Sequence, residues 1–362
     1  MRVAIDAREL CGRPTGVGRY LAGLLDAWSS ADAVRRHSWT LIAPRAIPEA
    51  HRWPVAVTIA PGAGGTTWEQ TVLASAVRAA GADVFFAPGY TAPLTVAAPL
   101  VLTIHDVSFF AHPEWFSFRE GMRRRMLTAW SARRARRVIT DTTFSKSEIE
   151  KHIGIPAARI SAIPLGVEPP GDGSLRDGSE PMVLFVGSIF ERRRVDRLIK
   201  SFDAVAAKVP NAHLQIVGEN RTRRPRLDLD ALRSASSHPA QIHIRSYVDA
   251  ATLSDLYHRA SVFAFLSEYE GFGFTPLEAL SAGVPPVLLD TAVARETCGH
   301  AARYVSAEAG NDYVADAIVD LLVNAGARRE VLRHADEVLA RYDWRRTAER
   351  TLTVLEEAAV GR

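Results

Sequence analysis

The sequence predicts an α/β protein of two doubly wound domains, and three observations carry that expectation. Near-continuous apolar runs of strand length alternate with helix-length segments along the whole chain, the pattern of parallel strands covered on both faces. The alternation breaks at Pro164-Leu-Gly-Val-Glu-Pro-Pro-Gly-Asp-Gly173, a turn-rich stretch that continues polar to Pro181. Met182 then restarts the chain as Met1 began it, with a strand, a glycine turn and a helix. The predicted divisions are a first domain over 1–168, a linker over 169–181, a second domain over 182–343 and a terminal helix over 344–362.

Composition fits that architecture. At 362 residues, 47% apolar and 23% charged, the chain is long enough for two ordinary globular domains. A formal net charge of only +3 argues against nucleic-acid binding on bulk charge. Cys11 and Cys298 lie far apart without metal spacing, so a reduced, cytoplasmic protein is expected. No signal peptide is expected, because the opening reaches Asp6 at once. Residues 84–104 carry no charge, but Pro88, Gly89, Pro93 and Pro99 interrupt them. Two buried strands joined by a loop fit better than a spanning helix.

In the first domain, strand-type runs occur at 3–5, 39–43, 84–87, 100–104 and 138–140. The loop Thr15-Gly16-Val17-Gly18-Arg19-Tyr20 joins the first strand to a helix. A dinucleotide fingerprint fails there, since Leu21 stands at the third glycine position and Ala43-Pro44-Arg45 offers no ribose-binding acid. Gly16 and Gly18 are then either a tight connection or part of a binding loop. Trp68-Glu69-Gln70 falls on a helix. His105 stands at the C-terminal end of a strand, the edge where open α/β sheets bind ligands, and is either structural or functional. Asp106 either orients that imidazole or caps a turn.

Eight arginines lie between Phe118 and Val138. On a helix Arg119, Arg123, Arg133 and Arg137 share one arc with Met126 and Trp130. Such a face is either solvated or a contact for anionic lipid.

The second domain has runs at 182–186, 214–217, 242–244, 262–266 and 287–289. After its first strand, Gly187 and the run Arg192-Arg193-Arg194 precede a helix, which favours phosphate binding over a solvated turn. Arg221, Arg223, Arg224 and Arg226 read as a solvated loop.

The chain's organising stretch is Ser267-Glu-Tyr-Glu-Gly-Phe-Gly-Phe-Thr-Pro-Leu-Glu278, running on to Gly283 and Pro285. A strand leads into Gly271-Phe272-Gly273-Phe274, with both glycines free to take positive φ. Thr275 as N-cap, Pro276 at the first helical position and Glu278 in a capping box predict a helix start. Gly283 and Pro285 predict its end after about two turns. Glu270 and Glu278 bracket backbone N–H groups there, so they suit neutral hydroxyls of sugar or ribose. Glu278 could instead serve as a cap alone.

This E-x7-E pattern resembles the donor site of the retaining family 4 glycosyltransferases of GT-B fold. So do A-I-D-A-R-E-L-C-G-R-P-T-G-V-G-R-Y, T-I-H-D-V-S-F-F-A-H-P-E-W-F and V-I-T-D-T-T-F-S, in order along nearly the whole chain. The resemblance implies two Rossmann-like domains facing across a cleft, with the last helix crossing back to the first domain. It implies a nucleotide-diphosphate sugar as donor, a GDP-sugar ahead of a UDP-sugar, with no cofactor and no metal. It further implies a hexose, mannose-like, passed to a glycan or lipid-linked acceptor in cell-surface polysaccharide or glycoconjugate assembly. In that reading His105, Glu270, Arg192 and Arg193 are the catalytic residues. Gly16, Gly18, Tyr247, Val248, Gly271, Phe272, Gly273, Phe274, Thr275 and Glu278 bind substrate. Arg192-Arg193 departs from the family's usual Arg-Lys pair, and Ser188 stands where some branches carry arginine. An anionic membrane surface is a further expected partner, through the 119–137 region, with the protein peripheral on the inner membrane face. A GT-B epimerase or phosphorylase, or a silent nucleotide-sugar-binding protein, stays open as an alternative.

Overall fold

The computed structural model describes residues 1–12, 16–30, 36–169, 181–223 and 225–361. Thr15, Arg224 and most of the expected linker (170–180) lie outside them. The chain divides into two compact units, Met1–Gly166 with Tyr342–Arg362, and Val167–Arg341.

The first unit holds a seven-stranded sheet of β1 (Arg2–Asp6), β2 (Ser38–Ala43), β3 (Ala56–Ile59), β4 (Val84–Ala87), β5 (Leu100–Thr103), β6 (Arg137–Thr140) and β7 (Ile160–Ala162). Its order is β3-β2-β1-β4-β5-β6-β7, parallel throughout. β4 and β5 are buried at every position, which is why they read as unbroken apolar runs. Leaving β1, the chain turns to β2 on one side, while β4 pairs on the other. The strand order therefore reverses at β1/β4, the switch point where open α/β sheets form a crevice.

Helix α1 (Gly16–Ser30) buries Tyr20, Leu21, Leu24, Leu25 and Trp28, a spacing of three and four that places them on one face. Helix α2 (Phe118–Arg134) is capped by Ser117, whose side chain accepts from the Glu120 N–H. It ends at Arg134 with a C-cap at Ala135, so Arg137 lies on β6 instead of the helical arc expected for it.

The second unit holds β8 (Met182–Val186), β9 (His213–Val217), β10 (Ile242–Arg245), β11 (Val262–Phe265), β12 (Pro286–Leu289) and β13 (Arg303–Val305). They form a parallel sheet of order β10-β9-β8-β11-β12-β13, reversing at β8/β11. Helix α3 (Val195–Lys208) follows β8 and buries Leu198, Ile199, Phe202 and Val205. Helix α4 (Phe274–Ser281) follows β11.

Helix α5 (Trp344–Val360) is part of the first unit and packs on α1. The Trp28 indole N–H donates to the Ala348 carbonyl at 2.9 Å. The Thr347 hydroxyl donates to Pro164 O at 2.7 Å. At Gly23 and Gly166 a β-carbon would overlap the Trp344 ring, so both glycines make room for that indole.

Candidate active site

Each unit gathers charged side chains at its own switch point. In the second unit, β8 exits through Gly187, at φ +141°, into a short 3₁₀ turn over Glu191–Arg193. A β-carbon at Gly218 would overlap the Gly187 carbonyl, so the exits of β8 and β9 meet backbone to backbone. β11 exits into Ser267–Glu270, and the exits of β8 and β11 are laced together. Glu268 N–H donates to the Arg192 carbonyl at 2.9 Å. Arg192 Nε donates to the Tyr269 carbonyl at 3.0 Å.

Glu270 is the centre of this lacing. Arg193 donates to it twice, Nε to Oε1 at 2.7 Å and Nη2 to Oε2 at 3.1 Å. The Ser267 hydroxyl donates to Oε1 at 2.8 Å, and Arg192 Nη2 stands 3.8 Å from Oε2. Burial opposes the charge on Glu270, but the two guanidiniums and these hydrogen bonds outweigh it and hold the carboxyl at about 2. The guanidiniums are themselves flanked by aromatic faces, Arg192 over Phe190 at 4.6 Å and Arg193 over Phe265 at 5.0 Å.

Helix α4 starts one residue before Thr275. Its N-cap is Gly273, at φ +90°, and no side chain caps it. The capping box expected from Thr275 and Glu278 is therefore not formed. The left-handed glycine already turns the chain into the helix, which leaves Thr275 and Pro276 inside the first turn. Glu278 is buried and accepts from the Tyr257 hydroxyl at 3.0 Å instead. Of the two glycines expected to be free, Gly273 uses a positive φ, whereas Gly271 is not among the positive-φ residues. The helix ends as expected after two turns, with Gly283 at φ +73°. Phe272 is buried and meets Phe274 edge-on at 5.2 Å. Tyr247 and Val248 follow edge strand β10, which β9 separates from β8.

In the first unit, His105 follows β5 and is half-buried between two acceptors. Nδ1 lies 2.8 Å from Asp141 Oδ2, and Nε2 lies 2.9 Å from the Pro88 carbonyl. A carbonyl can only accept, so Nε2 carries a proton. Burial disfavours the cation, but the Asp141 charge and hydrogen bond, with the Pro88 carbonyl, raise the His105 pKa. Asp106 accepts from the Ser108 N–H at 2.8 Å and the Tyr90 hydroxyl at 3.0 Å, so it caps the turn and does not orient His105. Gly16 and Gly18 lie in the first turn of α1. Sequence reasoning assigned no role to Asp141, although it directly follows a buried apolar strand, the position that signals a site in this topology.

Cys11 and Cys298 are free and buried, and burial pushes the Cys298 thiol up to about 12. Among the described residues no group of three His, Cys, Asp or Glu side chains could hold a metal ion, and no helix is long and apolar enough to cross a membrane.

The chain matches two family models, Glycosyltransferase Family 4 over residues 14–169 and Glycosyl transferases group 1 over residues 172–338. It is similar to the O-antigen chain mannosyltransferase B of Escherichia coli, at 27% identity over 56% of this chain and 55% of that protein. The chain spans about half the length of the curated relatives it matches. Among solved structures, sucrose-phosphate synthase from Thermosynechococcus elongatus superposes with a TM-score of 0.78 at 16% identity, covering 99% of this chain and 98% of that one. The Anabaena HepE protein, solved with UDP-glucose, gives a TM-score of 0.76 at 16% identity, covering 99% of this chain and 100% of that one. Two family models together spanning both units, and two Rossmann-like sheets of the GT-B kind, lead to one conclusion: the chain belongs to the family 4 glycosyltransferases of GT-B fold.

Proposed function

We propose that this protein is a retaining glycosyltransferase that moves a hexose, mannose-like, from a nucleotide-diphosphate sugar to a glycan or lipid-linked acceptor without a divalent metal. The observation that carries the reading is the convergence of Arg192, Arg193 and Glu270 beside the N-terminus of α4 at the second switch point. Two guanidiniums face one carboxylate there, which leaves a net positive site for a diphosphate. The roles divide by geometry. Arg193 is held by Glu270 and positions it, whereas Arg192 has the looser contact and is the better donor to phosphate oxygen. Glu278 takes ribose hydroxyls and Glu270 sugar hydroxyls. The HepE protein carries UDP-glucose and the E. coli relative is a mannosyltransferase, which supports the donor class and the hexose.

In the reaction the acceptor hydroxyl attacks the anomeric carbon on the face from which the diphosphate departs. The C–O bond to phosphate breaks, the new glycosidic bond forms, and the leaving phosphate oxygen takes the acceptor proton. Arg192 and the N–H groups at the start of α4 meet the developing negative charge, a contribution of about 3–4 kcal/mol for each well-aimed donor. The test is product NMR with GDP-mannose and UDP-glucose in excess EDTA. Retained anomeric configuration and undiminished turnover are expected. An inverted centre, or activity abolished by chelation and restored by Mg²⁺ or Mn²⁺, would refute the mechanism.

A membrane surface is the proposed second partner. Along α2 the side chains of Phe118, Met122, Met126 and Trp130 are exposed at intervals of four, with Arg119, Arg123 and Arg133 on the same face. Arg123 and Arg133 also donate to Thr66 and to the Ile153 carbonyl, so they are partly committed within the unit. The apolar stripe is the stronger part of the argument.

A further inference from the structure

Strand β3 offers an unguarded sheet edge. The other edges of the two sheets, β7, β10 and β13, are protected among the described residues. On β7 the Arg350 guanidinium donates to the Ala162 carbonyl at 2.7 Å. Strand β10 carries His243 and Arg245, and β13 carries Arg303 paired with Asp320. Charge at an edge keeps it from recruiting another strand. Strand β3 has none, since the chain carries no charged residue from Trp53 to Trp68. It is also exposed at every position, Val57 to 36% and Ile59 to 44%. We propose that β3 pairs antiparallel with β3 of a second copy, in the register centred on Thr58. Two seven-stranded sheets then become one across a two-fold axis. Such pairing is independent of any transferase chemistry.

The backbone of β3 is prepared for that register. Its pairing with β2 matches Ala43 to Ile59, and the Ala60 N–H donates to the Ala43 carbonyl at 2.8 Å. Backbone groups alternate sides along a strand, so those of Ala56, Thr58 and Ala60 face β2. Those of Val57 and Ile59 point outward, and no backbone group among the described residues bonds them. A two-fold axis through Thr58, normal to the sheet, sets Val57 opposite the partner's Ile59 and Ile59 opposite the partner's Val57. Both members of each pairing have outward N–H and carbonyl groups, so each exchanges both of its hydrogen bonds. The Val57 and Ile59 side chains share one face, so two branched apolar pairs form there as well.

Neighbouring registers are worse. Centring on Ile59 would set Val57 opposite Pro61, which has no N–H to give. Centring on Val57 would set Ile59 opposite Val55, whose N–H already donates to the Trp53 carbonyl at 2.9 Å. A shift of one residue would turn the apolar side chains to opposite faces. A strand of another protein would find no charge here to select it, whereas β3 is complementary to itself. The pairing also closes, because it consumes the unguarded edge of both copies and β7 is covered. A four-residue strand buries far less than the roughly 1,600 Å² of a tight interface, so the dissociation constant should be on the order of 100 μM.

The test is sedimentation velocity of the full chain from about 5 to 500 μM, spanning the expected constant. Wild type should pass from monomer to dimer. Val57→Lys, at an exposed position that leaves the β2 ladder intact, should weaken association at least ten-fold with an unchanged melting temperature. Register is read by oxidative cross-linking, with Cys11 and Cys298 buried and therefore silent. Thr58→Cys lies opposite its own copy and should form a disulfide-linked dimer. Val57→Cys lies beyond the roughly 7 Å that a disulfide can span from its own copy, and should cross-link at least five-fold less. A monomer at every concentration, association unchanged by Val57→Lys, or equal cross-linking of the two cysteine variants would each overturn the proposal.

Discussion

Arg193 closes a two-pronged contact on Glu270 across 77 residues of chain, Nε to Oε1 at 2.7 Å and Nη2 to Oε2 at 3.1 Å. The pair ties the exit of β8 to the exit of β11, the two strands where the second sheet reverses order. The pair holds the shape of the site, and Arg192, 3.8 Å from Glu270 Oε2, leaves it with a net positive charge.

That pair makes stability depend on acid. The Glu270 carboxyl falls from an ordinary 4.5 to about 2 on folding, so its contribution is fully present above about 4.5 and is lost as pH falls toward 2. The size is on the order of 3 kcal/mol, since every tenfold change in proton affinity is worth about 1.4 kcal/mol. Urea denaturation between pH 6 and pH 2.5 should show this loss in wild type and a much smaller one in Glu270→Gln. Parallel curves for the two proteins would exclude the pair as the source.

His105 should stay charged above its ordinary titration range. Its folded pKa is raised above 6.5, so its share of stability is complete below about 6.5 and fades as pH rises through the folded value. A nitrogen-detected NMR titration should find the His105 midpoint higher in wild type than in Asp141→Asn, because the carboxylate favours the protonated ring. Equal midpoints in the two proteins would show that Asp141 does not hold the proton on the ring.

Gly218→Ala should cost at least about 2 kcal/mol, because a β-carbon there overlaps the Gly187 carbonyl and the backbone must move. Gly310→Ala, where a β-carbon meets nothing within 4 Å, serves as the control. Equal denaturation midpoints for the two variants would show that the exits of β8 and β9 are not in contact.

The apolar stripe on α2 should govern lipid binding. Phe118→Ser with Trp130→Ser should cut sedimentation with phosphatidylglycerol vesicles at least five-fold, and should leave nucleotide thermal shifts unchanged. Sedimentation equal to wild type would remove α2 as a membrane contact.

Much of the molecule was legible because burial writes itself into composition. β4, β8, β11 and β12 are buried at every position, and each announces itself as an apolar run between turns. Strands β3, β7 and β13 were not anticipated. All three are edge strands; β7 and β13 are three residues long and mixed in character, while β3 is a short apolar stretch broken by Thr58 and exposed along its whole length, so it lacks the burial that marks the central strands. At the site, Glu270, Arg192 and Arg193 were readable from glycine turns and charges at strand ends. The partner of each was not, because Glu270 and Arg193 are brought together by strand order, and no local pattern specifies that order.

The sequence by itself determined two parallel α/β sheets, their near-continuous core strands, and the turns that carry charge at the strand ends. Those features depend on local residue chemistry, on which side chains avoid water and which backbones need glycine. Only the tertiary structure decided that Glu278 meets Tyr257 and not a cap, that His105 is held by Asp141 and Pro88, and that Glu69 fixes Arg8. Each is a contact between elements distant in the chain. A buried charge must find its partner wherever the fold places one, because leaving it unpaired would cost several kcal/mol.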